Sequence, residues 1–143
     1  MTDGLKPILC DLERPRLELR YFTGPAGLSP PSINDSTTSI LSAAYCFQEL
    51  KDAIVSESSE SPNGFLVACF SDHPLVGMLR EHTSKPVIGI FEASVMHAVA
   101  FGQPFAIVTT GRYWEQALPA GVNRGLWLCK YGRAFSSAWR APE

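Results

Sequence analysis

The 143-residue sequence is short of several things, and each shortage removes a class of protein. Its four cysteines, Cys10, Cys46, Cys69 and Cys129, form no Cys-x-x-Cys pair and have no histidine-rich neighbour. A disulfide framework and a zinc site are therefore not expected, and any cysteine that matters should be a reduced thiol. Charge is sparse: 18% of residues, 12 Lys+Arg against 14 Asp+Glu, a net of −2 with no basic run. Without a broad positive field, neither nucleic acid nor anionic lipid is an expected partner. No apolar stretch reaches the roughly 20 residues that span a bilayer. The opening MTDGLKPIL also lacks the basic-then-apolar plan of a secretory signal, so a cytoplasmic location away from membranes is expected. What is present is 45% hydrophobic content, in a length suited to one domain of roughly 100–200 residues.

Alternation of element types organises that content. Thr2 or Asp3 caps a short helix through Leu9, and Leu17–Phe22 reads as a first strand. The Pro-rich loop from Thr23 to Asp35 ends in Asn34-Asp35-Ser36, N-cap chemistry for a helix over Thr38–Val55. Ile40, Leu41, Ala44, Phe47 and Leu50 are its expected apolar face. Ser56–Asn63 reads as a charged surface turn. Three apolar runs follow, Gly64–Cys69, Pro86–Ile90 and Pro104–Thr109, of the kind found in parallel strands covered on both faces. Their last residues are 21 and 19 positions apart, which fits successive βαβ units with helices over Pro74–His82, Glu92–Phe101 and Arg112–Leu118. The expected fold is α/β: an open parallel sheet in a flavodoxin- or Rossmann-like three-layer lobe.

Ligands of such sheets bind beyond the carboxyl ends of the strands. Cys69-Phe70-Ser71-Asp72-His73, Phe91-Glu92-Ala93-Ser94 and Thr109-Thr110-Gly111 all fall there. Cys69 ends a strand just before a helix that starts at Pro74, with Asp72 or His73 as its cap. The helix dipole is expected to lower its pKa and enrich the thiolate, which works as base or nucleophile. Thr109 and Thr110 offer hydroxyls and, with Gly111, backbone N–H groups that suit a substrate carboxylate or carbonyl. Glu92 is read either as a helix cap or as an acceptor of substrate N–H groups. Against a substrate with an acidic C–H beside a carbonyl, the thiolate removes the proton and the N–H groups steady the enolate-like charge.

The same residues have plainer readings. Cys69 also fits a small core residue, and Cys10 and Cys46 read as helix packing residues. His73 reads as a cap or as a base for Cys69, His82 and His97 as surface or satisfied helix residues, and Tyr113 and Trp114 as packing. Thr109-Thr110 also reads as a plain turn into the next helix.

Four ordered segments, Pro31–Asp35, Phe65–Pro74, Lys85–Ser94 and Ile107–Gly111, resemble the Asp/Glu/hydantoin racemase superfamily, within it the hydantoin/allantoin racemase branch. The resemblance covers Met1 to Val122 as a racemase-like α/β domain and leaves 123–143 as an atypical tail. It implies racemisation without a cofactor at a carbon next to a carbonyl. Two cysteines from two similar lobes do the work, one taking the proton and the other returning one from the opposite face. Cys69 matches the first cysteine. Ile33, Phe70, Ser71, Thr109 and Thr110 match positions lining the substrate pocket, and Glu92 matches a glutamate in a Gly-x-x-Glu-Ala segment. The implied partner is a small molecule, allantoin, a 5-substituted hydantoin or an amino-acid derivative.

Family members open with a strand ending in an Asn-Pro-Asn type motif, whereas this chain begins at the segment that follows it. Their second cysteine lies in Gly-Cys-Ala/Thr-Gly, and Cys129, between Leu128 and Lys130, falls too early to be it. One incomplete lobe of a two-lobe racemase is therefore expected, with racemisation impaired and homo-oligomers formed through an exposed sheet edge. A non-catalytic small-molecule-binding or interaction module is the alternative. A cysteine hydrolase using Cys69 and His73, oriented by Asp72 or Glu92, is a third reading.

Overall fold

The computed structural model describes residues 4–12, 15–55 and 61–128, with side chains as far as 124. A one-turn helix α1 (Lys6–Leu9), with Pro7 in its first turn, runs into a 3-10 turn at Cys10–Leu12. Its N-cap is Leu5, which makes no side-chain cap bond. Thr2 and Asp3 lie outside the described residues, as do 56–60 of the Ser56–Asn63 turn and 129–143 of the 123–143 tail, Cys129 included.

The next helix, α2 (Ser36–Val55), starts two residues earlier than expected, and Asp35 caps it. The Thr38 N–H donates to Asp35 Oδ1 at 2.7 Å, and the Asp35 N–H donates back to Thr38 Oγ1 at 3.1 Å. Two otherwise orphaned amides are thus satisfied reciprocally. Of the face hydrophobicity suggests, Leu50 and Phe47 turn to the core as expected, but Ile40, Leu41 and Ala44 do not. Ser39, Ala43, Leu50 and Ile54 are buried, with Cys46 and Phe47 packed beside them. Ile40 and Leu41 are 58% and 41% exposed, and Ala44 is exposed as well. Small side chains at 39, 43 and 46 leave room for a neighbouring helix to approach.

That neighbour is α3 (Pro74–His82), the crossover between two parallel strands, β1 (Phe65–Val67) and β2 (Val87–Gly89). The register pairs Phe65 with Val87, Leu66 with Ile88 and Val67 with Gly89. Pleating sends alternate residues to opposite faces. Val67 and Val87 therefore pack with Leu75, Val76 and Leu79 of α3 and with Ala43, Leu50 and Ile54 of α2. The other face is open: Leu66 is 58% and Ile88 36% exposed, where the apolar runs imply cover on both sides. Chain order and parallel pairing make this an α/β structure of the kind expected of a partial racemase lobe.

The two remaining helices build a second core. Helix α4 (Ile90–Ala100) follows β2 without a loop, starting two residues before the expected Glu92, and α5 (Arg112–Leu128) extends ten residues past the expected Leu118. Pro119 costs α5 one hydrogen bond, to the Glu115 carbonyl, without ending it. Phe91 and Val95 meet Leu118, flanked by half-buried Phe105, Ile107, Trp114 and Val122.

Two expected strands are absent. Pro104–Thr109 belongs to no ladder, although Phe105 and Ile107 lean into the second core and Val108 is 93% exposed. Alternation satisfies the side chains there, but a strand also needs a partner edge for its N–H and C=O groups. Leu17–Phe22 is likewise coil apart from a single bridge residue at Leu17, with Leu17 and Phe22 46% and 40% exposed. Among the described residues, no helix is long and apolar enough to cross a membrane.

Candidate functional site

The site is built on the turn that leads from β1 into α3. Cys69 lies two residues past the strand, half-buried, with Sγ 3.2 Å from the Ser71 hydroxyl. The Ser71 N–H donates to the Cys69 carbonyl at 2.9 Å and the His73 N–H to the Ser71 carbonyl at 2.8 Å, two successive three-residue turns. Those two amides face backbone carbonyls, not the thiol. The expected lowering of the Cys69 pKa is therefore overturned. Burial pushes the thiol up, and the Ser71 hydrogen bond opposes this only in part.

His73 is the cap of α3. Its Nδ1 accepts the Leu75 N–H at 3.3 Å, while Nε2 is buried without a hydrogen-bond partner. Only 3% of the residue is exposed, and burial depresses its pKa by disfavouring the imidazolium. The Cys69–His73 pairing needed by a hydrolase is not assembled, because the thiol meets Ser71 and the histidine's accepting nitrogen serves the helix. Cys10, expected to pack, is instead exposed with its thiol on the Pro7 carbonyl at 3.1 Å, whereas Cys46 does lean into the core.

Glu92 is neither the cap of α4 nor a free acceptor. The N-cap is Gly89, and both carboxylate oxygens bind Arg80, at 3.2 Å from Nη1 and 2.7 Å from Nη2. The same guanidinium donates to the Val87 carbonyl at 2.8 Å, clamping the crossover helix to β2 and the start of α4. Phe70, 46% exposed, meets the Phe91 ring edge-on at 5.4 Å. Ile33 is half-buried in the loop before α2, and Thr109 and Thr110 are exposed just before α5. The sequence-expected residues brought into direct hydrogen-bond contact are Cys69 and Ser71.

Beside this turn is a cavity of about 310 Å³ between the start of α2, the Ser71-Asp72 turn and α5. Ser71 is the one sequence-expected site residue that lines it. The Ser36 hydroxyl is 3.0 Å from the Tyr113 hydroxyl, Tyr113 stacks edge-on against Trp114 at 4.9 Å, and Asp72 forms an ion pair with Arg124. Sequence reasoning missed these polar walls because their partners are 77 and 52 residues apart, beyond any motif. Among the described residues, no group of three His, Cys, Asp or Glu side chains is placed to hold a metal ion.

Comparison with known proteins gives this geometry a family. The model of the Asp/Glu/Hydantoin racemase family matches residues 1–130. A Schizosaccharomyces pombe protein, C1F7.10, is 35% identical over 86% of this chain and 49% of its own length. Protein DCG1 of Saccharomyces cerevisiae is 34% identical over 77% of this chain and 51% of its own. A hydantoin racemase of Pseudomonas sp. is 34% identical over 57% of this chain and 31% of its own. The chain thus spans about half the length of the first two relatives or less of the third. No solved structure matches. With the family model spanning both cores and the Cys69 turn, the chain belongs to the Asp/Glu/hydantoin racemase family.

Proposed function

We propose that the protein is a racemase-type isomerase acting, without a cofactor, on a small hydantoin-like or amino-acid-derived substrate such as allantoin or a 5-substituted hydantoin. Cys69 is the proton-transferring group. The observation that carries this reading is a half-buried thiol just past the end of a parallel strand, hydrogen-bonded to Ser71, inside the family-matched segment. As thiolate, Cys69 takes the proton from the carbon next to the carbonyl and the electron pair moves onto the carbonyl oxygen. Return of a proton to the opposite face, from a second acid, inverts the centre. Ile33, Phe70, Thr109 and Thr110 form the substrate surroundings in this proposal, while Glu92 acts through Arg80 to fix the start of α4. In D₂O, a single enantiomer of a hydantoin should exchange its ring C–H for deuterium with the wild-type protein and not with Cys69→Ser. Equal exchange by both proteins would sink the proposal.

A non-catalytic binding module remains the second reading, favoured by the burial that pushes the Cys69 pKa up and so disfavours the thiolate. Calorimetric binding of a hydantoin without any deuterium exchange is the outcome that would select it.

A further inference from the structure

Ser71 is 5% exposed, although serine carries a polar group that burial penalises unless it is bonded. Its backbone is held on both sides, through the Cys69 carbonyl at 2.9 Å and the His73 N–H at 2.8 Å. Two backbone hydrogen bonds thus fix the origin of a side chain that touches the Cys69 sulfur at 3.2 Å and also lines the cavity between α2 and α5. Of the residues lining that cavity, Ser71 is the one in hydrogen-bond contact with the thiol.

We infer that Ser71 is a positioning residue for Cys69: its hydroxyl, fixed by the turn, donates to the sulfur from the cavity side and stabilises the thiolate where a ligand would meet it. The inference rests on the proposed function for the reaction it serves, but not for its own test. A thiolate in a half-buried place has lost water that would solvate it, and a hydroxyl at hydrogen-bond distance replaces part of that solvation. The direction agrees with the opposing influences on Cys69, where burial raises its pKa and Ser71 lowers it. Other charged groups around the turn do not supply this stabilisation. His73 is held neutral by burial, the Asp72 carboxylate is paired with Arg124, and Arg112 and Glu115 of α5 do not line the cavity.

The test uses the full chain with Cys10, Cys46 and Cys129 replaced by alanine, so that iodoacetamide reports on Cys69 alone. Ser71→Thr and Ser71→Val place the same volume at the buried site and differ by the hydroxyl. Alkylation rates would be followed from about pH 6 to about pH 10. Ser71→Thr should keep the parental profile, whereas Ser71→Val should alkylate about three- to tenfold more slowly at pH below the midpoint, with the midpoint moved up correspondingly. Should the bulkier pair fail to fold by circular dichroism, Ser71→Ala takes the place of Val and is compared with the parent. Coincident profiles with and without the hydroxyl would overturn the inference. A hydroxyl-dependent profile without any deuterium exchange would keep it and remove the racemase reading, so the two fail separately.

Discussion

Gly121 of α5 lies so close to Phe91 that an added Cβ would stand 2.8 Å from ring carbon Cε1, and 2.8 Å from the Cβ of Asp72 as well. The second core is therefore closed at this point by the absence of a side chain. Alanine gains up to about 1 kcal/mol of helix propensity over glycine. Overpacking against a ring and a main-chain-proximal carbon costs about 1–3 kcal/mol, and this term prevails. Gly121→Ala should therefore lose about 1 kcal/mol net and Gly121→Val more, read as a lower urea midpoint. An unchanged or higher midpoint for Gly121→Ala would contradict the packing.

Acid should weaken the fold through His73. Its folded pKa lies below the ordinary value of about 6.5, so the unfolded chain binds a proton that the folded one refuses. Stability is then fully present above about pH 6.5 and declines as pH falls below it. Asp35 acts in a separate, lower window. Its carboxylate is depressed by the Thr38 hydrogen bonds, so its contribution fades below about pH 4. His73→Ala should unfold at lower urea at neutral pH, by about 1 kcal/mol for a lost cap, and show less change in stability between pH about 7.5 and 5.5. A variant with an undiminished acid slope would place the sensitivity elsewhere.

The reaction should be favoured by alkali. Burial raises the Cys69 pKa above that of an ordinary thiol, so the thiolate is the minor form at neutral pH. Deuterium exchange dependent on Cys69 should rise with pH, close to tenfold per unit, until the thiol titrates. A flat rate from neutral pH upward would mean that the working base is another group.

The Arg80 clamp should divide unequally. Glu92→Gln removes an ion pair whose arginine side is 41% exposed, which is worth under about 1 kcal/mol after solvent screening. Arg80→Ala also strips two donors from the Val87 carbonyl and should cost more. Equal unfolding midpoints for the two variants would show that the backbone bonds contribute nothing.

Local chemistry was what the sequence revealed well. Pro74–His82 is recovered residue for residue because Pro at the helix start and His73 before it are local signals. β1 and β2 were visible because a strand covered on a helix-packed face needs a short β-branched or aromatic run. Pro104–Thr109 has the same signature and forms no ladder, since strand pairing depends on a partner that no local pattern reports. Only part of the buried face of α2 is legible, for a related reason: Leu50 and Phe47 turn inward as their hydrophobicity implies, but Ser39 and Ala43 are inside because α3 must come close, while the more apolar Ile40 and Leu41 face out. At the site, Cys69 and Ser71 were legible together, two residues apart on one turn. The Ser36–Tyr113 and Asp72–Arg124 contacts were not, because only the tertiary fold brings those partners together.

The pairing of Phe65 with Val87 also bears on how fast the chain folds. Positions 65 and 87 are 22 apart, and the chain between them carries α3, so the ends of the loop are drawn together by a helix that forms on its own timescale. Loop-closure entropy grows only logarithmically with length, and each doubling adds about 0.6 kcal/mol. Low sequence separation between contacting elements goes with rapid folding. The segment from β1 to β2 is thus the part of this chain suited to nucleate early, during synthesis included, whereas the α5 contacts with Asp72 and Ser36 close much longer loops and follow it.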